Sequence, residues 1–171
     1  HPPPQSQKTT KHLSPHVDNV NEGPDGAIIY PSTQRETMSF SRMRYHFVTA
    51  THERNCWLTE RVQAFIRGVM REKAKSIGGQ IITAGGIEDH EHIVAAVKPN
   101  VAPCDFIGKL KSESSKRVCR EFTTLRQFKW QEGYGGFTLW PGRMQAIIDY
   151  VDNQKSHHRR GVTWEVAERV E

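Results

Sequence analysis

The sequence predicts an α+β domain, a ferredoxin-like antiparallel sheet in the order β-α-β-β-α-β with one extra helix at the C-terminus. Three observations predict it. Apolar residues switch repeatedly between alternate spacing and three-to-four-residue spacing. Glycine pairs punctuate the switches, at Gly78-Gly79, Gly85-Gly86 and Gly135-Gly136. Two long amphipathic stretches separate short runs rich in β-branched and aromatic residues.

The elements follow in order. Tyr45 to Thr51 is aromatic and β-branched and reads as the first strand. Leu58, Val62, Phe65, Ile66, Val69 and Met70 recur at helical steps, giving a helix that ends near Gly78. Gln80 to Ala84 is a second strand. Gly85-Gly86 with Glu88-Asp89 reads as a turn, and His90 to Val97 is a third strand. Phe106 to Leu125 is the second long helix, with Ile107, Leu110, Ser114, Val118 and Phe122 on its apolar face. Phe128 to Trp130 and Phe137 to Trp140 read as short strands around a glycine-rich link. A last helix is expected from Arg143 to His158.

Residues 1–38 differ in kind. Six of the nine prolines lie there, among Ser, Thr, Gln and Asn, with Ile28, Ile29 and Tyr30 as the one apolar cluster. Such a low-complexity extension cannot bury enough surface to fold by itself. It carries Lys8, Lys11 and Arg35 against Asp18, Glu22, Asp25 and Glu36, a net −1, so of the overall +5 the body, residues 39–171, carries +6. That excess suits a polyanionic partner without establishing one. Three cysteines, Cys56, Cys104 and Cys119, form no CxxC pair and fit neither a disulfide framework nor a zinc ribbon. No apolar run is long enough to cross a bilayer and no signal peptide is evident, so a soluble, cytoplasmic protein is expected.

Chemistry concentrates in two places. His90 and His92 alternate on one strand and therefore share a face, about 7 Å apart, close enough to converge on one metal ion, while Glu91 points the other way. A His-x-His pair on a strand is more often structural than ligating. On the last helix Tyr150, Gln154 and His157 fall within a stripe roughly 60° wide at 100° per residue. Met144, Ile147, Ile148 and Val151 form the apolar stripe beside it. The helix can thus pack on one side and offer a phenol and an amide at the edge of a site. A tyrosine that cleaves a phosphodiester needs a cation on the scissile phosphate, and two imidazoles plus an amide oxygen suit a divalent ion with open positions.

The run from Asp89 through His92 to Ile93, followed by the helix from Tyr150 through Gln154 to His158, resembles the one-tyrosine HUH transposases of small bacterial insertion sequences and their REP-associated relatives. Leu110 to Ser115 and Trp130 to Tyr134 are similar as well, in the family's order, over about Phe40 to Val166. The resemblance implies an enzyme that nicks and rejoins single-stranded DNA with hairpin ends. It implies Tyr150 as nucleophile and His90, His92 and Gln154 as ligands of Mg2+ or Mn2+. It also implies a homodimer, although REP-associated relatives can be monomeric.

One departure stands out. The family has an apolar residue between the two histidines, and Glu91 stands there instead. A carboxylate on the helix-facing side of a strand needs a partner, and Lys111, within the apolar stripe of the second long helix, is the expected one. Lys109, Lys116, Arg117 and Arg120 occupy the opposite face of that helix with Glu113, a basic stripe that could track phosphates together with His157, or simply a solvated face. His158 is expected to pack against Trp164. Three alternatives stay open: a non-catalytic nucleic-acid-binding module, a domesticated inactive transposase, and a replication-initiator or relaxase nickase.

Overall fold

The computed structural model describes residues 21–22, 28–29, 40–41 and 43–164, together with Glu168. The chain divides into two units, His1–Phe40 and Ser41–Glu171. In the first, Asn21–Glu22 pairs antiparallel with Ile28–Ile29. Tyr30 and most of the extension 1–38 lie outside the described residues, as does Val166.

The second unit is built on four strands: β1 (Arg44–Ala50), β2 (Gly79–Gly86), β3 (His90–Val97) and β4 (Gly135–Thr138). They form one antiparallel sheet in the order β2-β3-β1-β4, the ferredoxin-like arrangement. Two helices, α1 (Glu60–Ser76) and α2 (Pro103–Glu121), make the crossovers. Thr59 caps α1 by accepting the Val62 amide, and Pro103 begins α2, where a missing N–H costs nothing.

Strand alternation sorts the side chains. Phe47, Ile93, Ala95 and Val97 face α1 and α2, where they meet Leu58, Ile66, Met70, Phe106, Ile107 and Leu110 in the main core. Val94 faces the other way and packs with Tyr150 and Val151 of α3 (Met144–Asp152). α1 and α2 therefore cover one face of the sheet and α3 the other.

The structure moves several boundaries. Gly85 and Gly86 lie within β2 rather than in a turn, which is confined to residues 87–89. A Cβ on Gly85 would stand 2.0 Å from the Val151 carbonyl oxygen, so the glycine is there to let α3 settle onto the strand backbone. Trp130 makes only an isolated bridge to Thr51, not a strand. The C-terminal helix is two: α3 stops at Asn153, and α4 (Gln154–Arg160) continues to Gly161, whose φ of 64° closes it in the left-handed conformation. Asn153 donates its side-chain amide to the Asp149 carbonyl at 2.8 Å, a local bond that competes with the helix ladder.

Two motifs that seemed separate are joined. Lys111 Nζ donates to the carbonyls of Gln131 (2.7 Å) and Gly133, and Trp130 Nε1 donates to Ser114 Oγ at 3.0 Å. α2 thereby holds the segment that leads into β4. Lys111 is therefore not the partner of Glu91.

Candidate active site

Glu91 is buried beneath α1, and its partner is Arg67, which engages it with two nitrogens, Nη2 to Oε2 at 3.1 Å. The expected Glu91–Lys111 pair is thus replaced by one to the other helix, because Arg67 projects from α1 directly under β3. Burial pushes the Glu91 carboxyl up, and Arg67 opposes that shift.

On the opposite face, His90 and His92 are fully buried with ring centroids 5.0 Å apart. Each uses its Nδ1 for a second residue. His90 Nδ1 lies 2.6 Å from Asp89 Oδ1, and His92 Nδ1 lies 2.9 Å from Nε2 of His46 on β1. Both Nε2 atoms are left facing the space under α3 and α4. Burial and the neighbouring His92 lower the His46 pKa to about 3, so it is a neutral partner. Burial opposes charge on His90 as well, but the Asp89 and Glu168 carboxylates prevail and raise its pKa to about 9. A field that holds a proton there also favours a cation.

The broken helix brings Tyr150 and Gln154 to the same space. The Tyr150 ring stands edge-on to His92 at 6.0 Å, and His157 packs on its other side at 4.9 Å. Among the described residues, His90 Nε2, His92 Nε2 and Gln154 Oε1 are buried without a hydrogen-bond partner. Unpaired buried polar atoms are costly unless something binds them, and these three fit a divalent ion that would displace the proton the neighbouring carboxylates hold on His90. The four residues singled out in the sequence are therefore brought together, on one chain.

Glu168 lies among them and carries no sequence signal of its own. The Tyr150 hydroxyl donates to its Oε1, and the Trp164 amide donates to that hydroxyl at 3.0 Å. Burial, with the carboxylate next in weight, raises the Tyr150 pKa. Trp164 does not pack on His158 as expected. Its ring stacks on Tyr150 at 4.8 Å, and the ring against His158 is that of His90, at 4.9 Å. His46, Asp89 and Arg67 were also missed. Arg54 was too: its Nη1 lies 3.5 Å from Asp89 Oδ2, and it follows Glu53 with a second positive φ, 55°.

The basic residues divide between faces. Lys109, Lys116 and Arg120 are exposed on α2, across the sheet from the histidines, and Arg117 is bound to Glu72 and Glu113. An open cleft of about 470 Å3 runs along the β2 edge of the sheet beside Gln154, with Arg67, Lys155 and Arg159 among its walls.

A ferredoxin-like sheet with a buried histidine pair on a central strand and a tyrosine helix packed across it defines an α+β domain whose titratable groups gather on one covered face. Residues 39–154 match the family model described as "Transposase IS200 like", and the chain belongs to that family of DNA-cleaving, strand-transferring enzymes. The ISDra2 transposase TnpA of Deinococcus radiodurans is 26% identical over 118 residues, covering 66% of this chain and 84% of the relative. The transposase for insertion sequence element IS200 of Salmonella typhimurium is 28% identical over 126 residues, 69% of this chain and 80% of the relative. A Deinococcus radiodurans transposase crystal structure superimposes with a TM-score of 0.58 at 23% identity, covering 71% of this chain and 98% of that one. A REP-associated tyrosine transposase bound to a REP hairpin superimposes with a TM-score of 0.53 at 13% identity, covering 78% and 76%.

Proposed function

We propose that this protein nicks and rejoins single-stranded DNA at hairpin-containing ends, with Tyr150 as nucleophile beside a Mg2+ or Mn2+ ion held by His90, His92 and Gln154. The convergence of the Tyr150 ring with three buried polar atoms that lack a hydrogen-bond partner carries this reading. The Tyr150 oxygen attacks the scissile phosphorus, the bond to the 3′-oxygen breaks, and that oxygen leaves as a hydroxyl after taking a proton. The 5′-phosphate stays on the tyrosine, so a second 3′-hydroxyl can reverse the step without ATP. The ion supplies charge neutralisation at the phosphate. In this reading His157, which packs on Tyr150, contacts the phosphate, and Lys109, Lys116, Arg117 and Arg120 contact flanking DNA. Residues 39–171 are the catalytic domain and 1–38 an extension to it. The protein works in the cytoplasm as a homodimer, whose two tyrosines act on two ends.

End-labelled single-stranded DNA carrying candidate hairpins tests the reaction. Cleavage should require Mg2+ or Mn2+, stop on chelation, and be absent with His90→Ala or His92→Ala. Cleavage untouched by chelator would overturn the metal reading.

A further inference from the structure

The proposed ligand set has a chemical gap. His90, His92 and Gln154 are neutral when they bind a metal, yet Mg2+ and Mn2+ favour oxygen ligands and at least one carboxylate. The missing charge stands among them. Glu168 Oε2 lies 3.2 Å from His90 Nε2 and 3.3 Å from His92 Nε2, and its Oε1 lies 3.4 Å from Gln154 Nε2. His90, His158 and Glu168 also place donor atoms within 4.8 Å of one another, with His158 Nε2 at 3.7 Å from Oε1.

Those separations are short enough for hydrogen bonds, but neither His90 Nε2 nor His92 Nε2 has a hydrogen-bond partner. The carboxylate stands within ion-pair distance of both ring nitrogens. An octahedral or tetrahedral ion with ligands at about 2.1 Å has polyhedron edges of about 3.0 to 3.4 Å, which is the spacing found. The nitrogens and the carboxylate oxygen thus stand to one another as neighbouring corners of a coordination shell.

We propose that Glu168 is a further protein ligand of the divalent ion, supplying the anionic oxygen that His90, His92 and Gln154 lack. This rests on the metal reading above. The ligand would come from beyond the last helix.

Calorimetric titration of Mn2+ into the full chain without DNA, paired with the electron paramagnetic resonance signal of the bound ion, tests the assignment. His90→Ala should remove the site. Glu168→Ala and the isosteric Glu168→Gln should each weaken Mn2+ binding at least about tenfold while keeping the wild-type circular dichroism. Wild-type or tighter affinity in both Glu168 variants, with His90→Ala still defective, would overturn the ligand assignment and leave the metal reading standing. Unchanged Mn2+ binding in His90→Ala, His92→Ala and the Glu168 variants alike would overturn both.

Discussion

His46 does for His92 what Asp89 does for His90. Each occupies the Nδ1 of a buried imidazole at 2.9 and 2.6 Å, which fixes the ring and turns its Nε2 toward the tyrosine helix. His46→Phe preserves the packing against Phe137 but removes that partner, so Mn2+ affinity should fall about tenfold with little loss of fold. Equal affinity in calorimetry would deny His46 a positioning role. Arg54 makes a second case. It holds Asp89 from a backbone conformation that disfavours side chains, a strain that often marks functional loops. Arg54→Gly should leave thermal stability unchanged or higher, yet weaken Mn2+ binding, because the Asp89 carboxylate that fixes His90 loses its own partner. Unaltered Mn2+ affinity would make the arginine structural. At this scale, the paired histidines and the Tyr-x-x-x-Gln step were legible because alternation and helical pitch fix their faces. His46 and Arg67 were not, because cross-strand and helix-to-strand neighbours depend on register. Glu168 depends on the path of a segment with no periodicity.

Between elements, two contacts set where the tyrosine helix and the histidine strand stand. The first is Glu91 with Arg67. Glu91→Ala leaves a guanidinium facing a cavity, and because Arg67 is partly open to water, the destabilisation should be about 2–3 kcal/mol by chemical denaturation. Glu91→Val with Arg67→Met should recover most of it, whereas Glu91→Val with Lys111→Met should not, since Lys111 is committed to the carbonyls of Gln131 and Gly133. A silent Glu91→Ala would contradict the pairing. The second contact is α3 on Gly85. Gly85→Ala drives a methyl into the Val151 carbonyl, so the helix must lift and carry Tyr150 with it. Cleavage should drop by more than tenfold, a barrier change of at least about 1.4 kcal/mol, while far-ultraviolet circular dichroism stays near wild type. The Gly-Gly step invites a turn assignment on local grounds, and only the packing of α3 explains it. Likewise, the single long C-terminal helix expected from periodicity breaks at Asn153, whose φ of −103° and ψ of 17° depart from the helix and whose side chain bonds back to the Asp149 carbonyl.

At the scale of the whole domain, the sheet separates two tasks. α1 and α2 bury the main core on one face, and the other face carries the histidines beneath α3 and α4. The order of strands and helices was legible in the sequence because the period changes are clean, and both faces of β3 are buried, which a strand reading of His90 to Val97 requires. The helix bearing Tyr150 packs against His92 within this chain. If two copies pair, mixing Tyr150→Phe with His90→Ala protomers should therefore restore no cleavage in verified mixed dimers, and recovery would mean that the helix crosses to the partner. The central claim is that Tyr150 becomes covalently joined to DNA. Incubating the protein with hairpin-bearing single-stranded DNA and Mn2+, then mapping the denatured product by mass spectrometry, should place a 5′-phosphoryl adduct on the peptide containing Tyr150. Tyr150→Phe should bind the same DNA without forming the adduct, and an undiminished adduct in that variant would contradict the account.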